Sequence, residues 1–329
     1  MEALVLELVI ASGKGGVGKS TLSSTLALYL AKQGYNVIAV DADADAPNLH
    51  LIYGINSWEI EEDYREAWIA EIDYDKCTMC GICAEVCSYK AIKLIDNRYV
   101  INTIICEGCL TCSLACPKKA IRRRQITSGK IRIAKTPYGF PLVSAKLNVG
   151  RPNSGKLVTE VKNKAKELAR EDTIIIVDSA AGIGCQVISS LAGAHAAILV
   201  AEPTPASFSD LKRVHMVTKH FLLPTGLVIN KYDLNPHYTR KILEYAKQEH
   251  MDVLGIIPYD DNVPKAMAKM KPLVELYPQS PASIALLKIV SKIEERIVKG
   301  WSEWFREYKP RKPVPYKPII LKPPNIGKG

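Results

Sequence analysis

The chain has 329 residues, 47% hydrophobic and 24% charged, which is length for two domains and the composition of an ordinary globular protein rather than a disordered or fibrous one. Its formal net charge is +10, but six basic residues lie in the acid-free, proline-rich stretch 309–329, so the excess is partly local and gives no nucleic-acid signature. No apolar run reaches membrane-spanning length, and residues 1–11, which carry Glu2 and Glu7, read as a strand rather than a secretion signal.

In chain order, 4–11 is an apolar strand, followed by a glycine loop and a helix with Leu22, Leu26 and Leu30 on one face. A second strand at 36–40 ends at Asp41. Regular alternation then stops: 58–124 is rich in cysteine, and 126–147 reads as β-hairpin material. A helix at 156–170 resumes the pattern, with strands at 173–177, 196–201, 225–229 and 252–257 and helices between them. A last helix is predicted over 282–308. The pattern is α/β: a doubly wound, mainly parallel sheet with a small α+β module inserted after its second strand. The expected divisions are 1–58, 59–125, 126–308 and a basic tail at 309–329.

Gly13-Lys14-Gly15-Gly16-Val17-Gly18-Lys19-Ser20, followed by Thr21, fits G-x4-G-K-S between a strand and a helix. Glycines there let backbone N–H groups close around phosphate oxygens, and the helix N-terminus adds partial positive charge. Lys19 is expected on the β- and γ-phosphates and Ser20 on Mg²⁺. Residues 150–157 resemble a second phosphate loop, but they lack Ser or Thr after the lysine and a clean strand before, so no second nucleotide site is expected. Asn230-Lys231-Tyr232-Asp233 follows a strand and fits N-K-x-D, a guanine-reading pattern.

Eight of nine cysteines form two copies of Cys-x2-Cys-x2-Cys-x3-Cys: Cys77, Cys80, Cys83, Cys87, then Cys106, Cys109, Cys112, Cys116. Each copy is followed at the same offset by Ala-Ile, Ala91-Ile92 and Ala120-Ile121, which makes this an internal repeat. Structural zinc uses paired Cys-x2-Cys knuckles, not a triple run with a displaced fourth. The spacing points to thiolates kept for metal in a reducing, cytoplasmic setting rather than to disulfides. Cys185 is left over and is expected to be a small packed residue.

These features carry two resemblances. The cysteine run is similar to that of two-cluster bacterial ferredoxins, in which the fourth ligand of each 4Fe-4S cluster comes from the other repeat. The resemblance implies one cluster on Cys77, Cys80, Cys83 and Cys116, and a second on Cys106, Cys109, Cys112 and Cys87. Cys116 has the usual following proline, whereas Cys87-Ser88 does not, which implies a looser turn there. The rest of the chain resembles the MinD/ParA superfamily, whose deviant Walker A loop carries a lysine after its first glycine, here Lys14. That resemblance implies a dimer in which Lys14 reaches the partner's nucleotide. It also implies that Asp43 of Asp41-Ala42-Asp43 orients the attacking water, and that Asp178 of Asp178-Ser179-Ala180-Ala181-Gly182 holds Mg²⁺ while Gly182 senses the γ-phosphate. Asp41 joins Ser20, Asp43 and Asp178 around magnesium, and Asn230, Asp233 and Pro258 are expected at the base. ATP is favoured on the class resemblance, with GTP open.

Three functions follow from these likenesses: an ATPase gating electron transfer, an iron–sulfur or metallocofactor assembly ATPase serving an apo-protein, and a spatial organiser with structural or redox-sensing clusters. The partner is unspecified. Ile293, Ile297, Trp301, Trp304, Phe305 and Tyr308 at helical spacing leave a membrane contact open, though packing or a dimer is simpler. Arg122, Arg123 and Arg124 suit either an acidic partner or a solvated edge.

Overall fold

A computed structural model describes residues 5–150 and 154–310; the proposed tail lies, apart from Lys309 and Pro310, outside them. The elements run β1 (Leu6–Ser12), α1 (Lys19–Lys32), β2 (Val37–Ala42), α2 (Leu49–Ile52), β3 (Ile60–Tyr64), β4 (Ala67–Ile72), α3 (Ile82–Glu85), β5 (Ile92–Ile95), β6 (Arg98–Ile101), α4 (Thr111–Ala115), β7 (Ile121–Ile126), β8 (Gly129–Lys135) and β9 (Pro141–Leu147). Then follow α5 (Ser154–Leu168), β10 (Ile174–Ala181), α6 (Cys185–Leu191), β11 (Ala196–Ala201), α7 (Pro205–His220), β12 (Thr225–Asn230), α8 (Pro236–Gln248), β13 (Asp252–Ile257), α9 (Asn262–Ala268), α10 (Leu273–Leu276), α11 (Pro281–Ile293) and α12 (Trp301–Tyr308).

Nine strands form one sheet in the order β13-β12-β11-β1-β10-β2-β9-β8-β3. From β13 to β9 every pairing is parallel; β8 is antiparallel to both β9 and β3. Every residue of β1, β2 and β11 is buried, as a continuous apolar run covered by helices on both faces requires. Alternate side chains feed two cores. Leu8, Ile10 and Ile176 meet Leu22, Leu26 and Leu30 of α1 and Leu286, Ile289 and Val290 of α11 on one face. Val9, Ile175 and Val177 meet Leu157 and Val161 of α5, Val187 of α6 and Leu211 of α7 on the other. Each fully buried leucine of α1 contributes about 1.5–3 kcal/mol, which fixes the helix whose first turn bears Lys19 and Ser20.

Beyond the sheet, β4 pairs with β7 and β5 with β6, both antiparallel. Ala70, Ile72, Cys83, Ile92, Cys112 and Ile121 form a small separate core there. Residues 60–64, read from sequence as the start of the insert, instead pair with β8 at the edge of the large sheet. The stem is closed by Ser128 N donating to Tyr64 O at 2.8 Å.

The last predicted helix is broken. After α11 the chain takes a wide six-residue turn over Glu294–Lys299 and bends at Gly300, where a Cβ would lie 2.8 Å from Arg296 O. The bend turns the aromatic face inward. Trp304 is 2% exposed and donates from Nε1 to Asp252 Oδ2 at 2.8 Å, while Tyr308 stacks on His250. The residues that left a membrane contact open are largely spent on packing. Among the described residues no helix is long and apolar enough to cross a membrane.

Candidate functional site

The glycine loop joins β1 to α1 at the carboxyl edge of the parallel strands, where open α/β sheets bind ligands. Two of its glycines are required by close approach. A Cβ on Gly13 would lie 2.3 Å from the Asp210 carbonyl oxygen; Gly18 has φ +99° and abuts Asn230 Nδ2. Gly15, Gly16, Gly18, Lys19, Ser20, Thr21 and Asp43 line one cleft, whose far wall is Asn230, Lys231, Pro258 and Tyr259. Val17 is buried under the loop rather than in the cleft.

Asp178 lies within β10, is buried, and accepts from Ser23 Oγ at 2.8 Å. Burial raises its carboxylate above the ordinary range, opposed by Lys19 and by the Ser20 and Ser23 hydroxyls. Gly182 has φ +97° and donates its N–H to Ser12 O at 2.9 Å, so the segment after β10 is hung on the end of β1.

Two expected site residues take other roles. Asp41 is fully buried: Oδ2 accepts from Asn48 N and Leu49 N at 2.8 and 2.9 Å, and Oδ1 from Asp43 N at 3.3 Å. Its carboxylate fixes the turn into α2. Burial, then Asp178, pushes it well above the usual range. Asp233, expected at the base, accepts from Tyr259 N through Oδ1 at 2.8 Å and so ties down the Pro258–Tyr259 wall. Asn230 donates to Val17 O at 2.9 Å, which locks β12 to the glycine loop.

Lys14 reaches across its own chain. Its Nζ stands 2.7 Å from Glu202 Oε1, and Lys231 Nζ stands 3.2 Å from Oε2. Burial alone would raise the Glu202 carboxylate; the two ammonium groups outweigh it and hold it below its ordinary range. Glu202 lies outside every motif. Its only sequence signal is its place directly after β11, equivalent to that of the motif-bearing residues after neighbouring strands.

The cysteines gather into two groups. Cys77, Cys80, Cys83 and Cys116 line one small apolar void; Cys87, Cys106, Cys109 and Cys112 line another. Each set is three thiols from one repeat and the fourth from the other. Among the described residues no group of three or more His, Cys, Asp or Glu side chains is placed to hold a metal ion.

The backbone repeats as well. Met79 and Gly108 (φ +60° and +64°), Gly81 and Leu110 (+82° and +62°), and Lys90 and Lys119 (+51° and +49°) form matched left-handed pairs. Ala91 N donates to Cys87 Sγ and Ala120 N to Cys116 Sγ, both at 3.3 Å. The turn after Cys87 is therefore as tight as the one after Cys116, and the missing proline does not loosen it. Arg122 and Arg124 pair with Glu71, and Arg123 lies over Trp68, so this edge is largely self-satisfied. Cys185 opens α6 and is exposed, not packed as expected.

Residues 8–273 match the CobQ/CobB/MinD/ParA nucleotide binding domain. The chain belongs to that family of P-loop ATPases. It is 35% identical over 296 residues to an uncharacterized protein of Methanocaldococcus jannaschii, covering 89% of this chain and 98% of the relative. It is 25% identical to the septum site-determining protein MinD of Bacillus subtilis over 291 residues, covering 87% and 88%. Among solved structures, MinD of Aquifex aeolicus aligns with a TM-score of 0.55 at 21% identity, over 88% of this chain and 97% of that one. MinD of Pyrococcus horikoshii complexed with Mg-ADP aligns with a TM-score of 0.52 at 20% identity, over 89% and 97%. At those identities the structural likeness establishes the fold alone: a MinD-like, mainly parallel α/β P-loop architecture.

Proposed function

We propose that the chain is a dimeric ATPase that couples nucleotide binding and hydrolysis to electron transfer through two 4Fe-4S clusters. The observation that carries this reading is the pair of thiol-lined voids, each built from a crossed set of three and one cysteines, on a module stemming from the nucleotide-binding sheet. The fit is chemical: four soft donors per void, apolar lining, and backbone N–H groups directed at sulfur. Cys77, Cys80, Cys83 and Cys116 would hold one cluster, and Cys87, Cys106, Cys109 and Cys112 the other. Bound there, such clusters supply one-electron carriage.

The protein residues divide the nucleotide work. The N–H groups of residues 13–21 grip phosphate, Lys19 neutralises its charge, and Ser20 with Asp178 would hold Mg²⁺. Asp43 orients water at the γ-phosphate, and Gly182 follows the loss of that phosphate. In the dimer Lys14 exchanges Glu202 for the partner's nucleotide. ATP is favoured over GTP on the likeness to MinD-family ATPases. Differential nucleotide affinity between two arrangements of these loops is what would bias the module.

A spatial-organiser role is the second reading, favoured by the names of relatives such as MinD and the antiactivator FleN of Pseudomonas aeruginosa. In it the eight thiols would hold structural or redox-sensing clusters rather than carry electrons to a partner. Steady-state turnover tests the nucleotide half: Lys14→Ala and Asp43→Ala should each lower kcat by about 100-fold or more. Wild-type rates in both would remove the assignment of this site.

A further inference from the structure

The loop that carries Asp43 is held by a side chain that belongs to no motif. Gln186, in the first turn of α6 and 8% exposed, accepts from Ala44 N through Oε1 at 2.9 Å. Its Nε2 donates to Asp45 Oδ2 at 2.7 Å. An N–H demands an acceptor and a carboxylate demands a donor, so the two partners fix a single orientation of the amide. A carboxamide meets both demands at once; a carboxylate or an aliphatic side chain does not. On the other side of the loop, Ala44 O accepts from Leu147 N at 2.8 Å. The backbone of Ala44 is thus gripped from α6 and from β9 together.

The other end of this clamp is equally placed. Gln186 lies four residues beyond Gly182, whose N–H is fixed to Ser12 O at the start of the glycine loop. Between them run only Ile183, Gly184 and Cys185, and Gln186 then enters the helix that packs against α5 through Val187 and Leu191. A displacement of the segment after Asp178 that shifts the start of α6 must carry loop 43–45 with it or break two hydrogen bonds, one of them to a buried backbone N–H. Leaving such a group unpaired is costly.

We propose that Gln186 is a positioning residue for hydrolysis: it makes the loop 43–45 move as one body with the segment after Asp178, so that the arrangement at Gly182 sets the place of the Asp43 carboxylate. This rests on the reading of Asp43 as the residue that orients water. It predicts an effect on the chemical step and little on nucleotide affinity, because Gln186 touches neither phosphate nor base.

The test is steady-state Mg-ATP turnover by the full-length protein. Gln186→Ala should lower kcat about tenfold while KM stays within about twofold, the split expected when only transition-state geometry is lost. Gln186→Glu should be worse, since a carboxylate then opposes Asp45. Adding Asp45→Asn to Gln186→Glu restores the donor–acceptor pair in reverse, and should return kcat to within about threefold of wild type. A purely structural role would be rescued alike but would also move KM or stability, so the unchanged KM is what marks positioning. Wild-type kcat in Gln186→Ala, or a double variant no better than Gln186→Glu, would overturn the proposal. The Asp43→Ala control separates the two claims: an inactive Asp43→Ala beside a fully active Gln186→Ala sinks the clamp alone, whereas an active Asp43→Ala sinks the reading beneath it.

Discussion

His215 of α7 is 2% exposed, and its Nδ1 lies 2.9 Å from Tyr245 Oη of α8. Burial, against the opposing pull of Glu249, holds its pKa down at about 4. The folded state keeps it neutral while the unfolded chain binds a proton near pH 6.5, so the unfolded state holds more protons between these values. The stabilisation is complete above about pH 6.5 and is lost as pH falls toward 4, at up to about 1.4 kcal/mol per unit. Chemical denaturation of His215→Gln should therefore show a shallower fall than wild type across that window. Parallel pH profiles would contradict this burial account. Single residues were also where sequence reasoning was least secure. Spacing placed Lys19, Ser20 and Asp43 on the cleft, because a phosphate loop dictates its own geometry. It did not reveal that Asp41 would cap α2 or that Asp233 would hold Tyr259, since neither pattern says which hydrogen bond a carboxylate will make. Glu202 and Gln186 were invisible for the same reason: their partners are distant in sequence and belong to no repeat.

At the scale of elements, the two cysteine loops show what a repeat fixes and what it leaves free. Met79 and Gly108 occupy equivalent positions with nearly equal positive φ, yet only one is glycine. Conformation alone does not explain the difference. A Cβ at Gly108 would lie 2.0 Å from Trp68 O, a backbone atom of β4 that cannot step aside. Gly81 is likewise crowded by Tyr99 Oη at 2.6 Å, whereas its counterpart is Leu110. Gly108→Ala should therefore disturb the loop of Cys106 and Cys109 and spare the other void. Iron analysis of anaerobic protein should fall from about eight to about four atoms per chain, with nucleotide binding retained. Retention of all eight would contradict the crowding argument. The cysteine spacing was legible because ligand loops are local. The break at Gly300 was not: an unbroken apolar period hid it, and the bend is driven by the buried Trp304–Asp252 bond between elements far apart in sequence.

For the molecule as a whole, the α/β alternation was readable because fully buried parallel strands are continuous apolar runs, and their helices carry a plain 3.6-residue period. Periodicity could not assign β3, a short strand with four exposed residues whose place in the large sheet depends on pairing with β8. That pairing is also where the cysteine module joins the nucleotide-binding sheet. The module leaves the sheet at Tyr64 and returns at Ser128. Asn148 N donates to Ser128 O at 2.9 Å, and Leu147 N to Ala44 O at 2.8 Å, beside the loop bearing Asp43. A nucleotide-dependent shift of that loop thus has a short mechanical route to the stem of the cysteine module. The most direct test of this coupling is EPR of anaerobically prepared, reduced protein, recorded with and without Mg-ATP. The account predicts 4Fe-4S signals whose shape or reduction midpoint changes on adding nucleotide. Identical spectra in both conditions, or thiols that take up zinc and never iron, would contradict it.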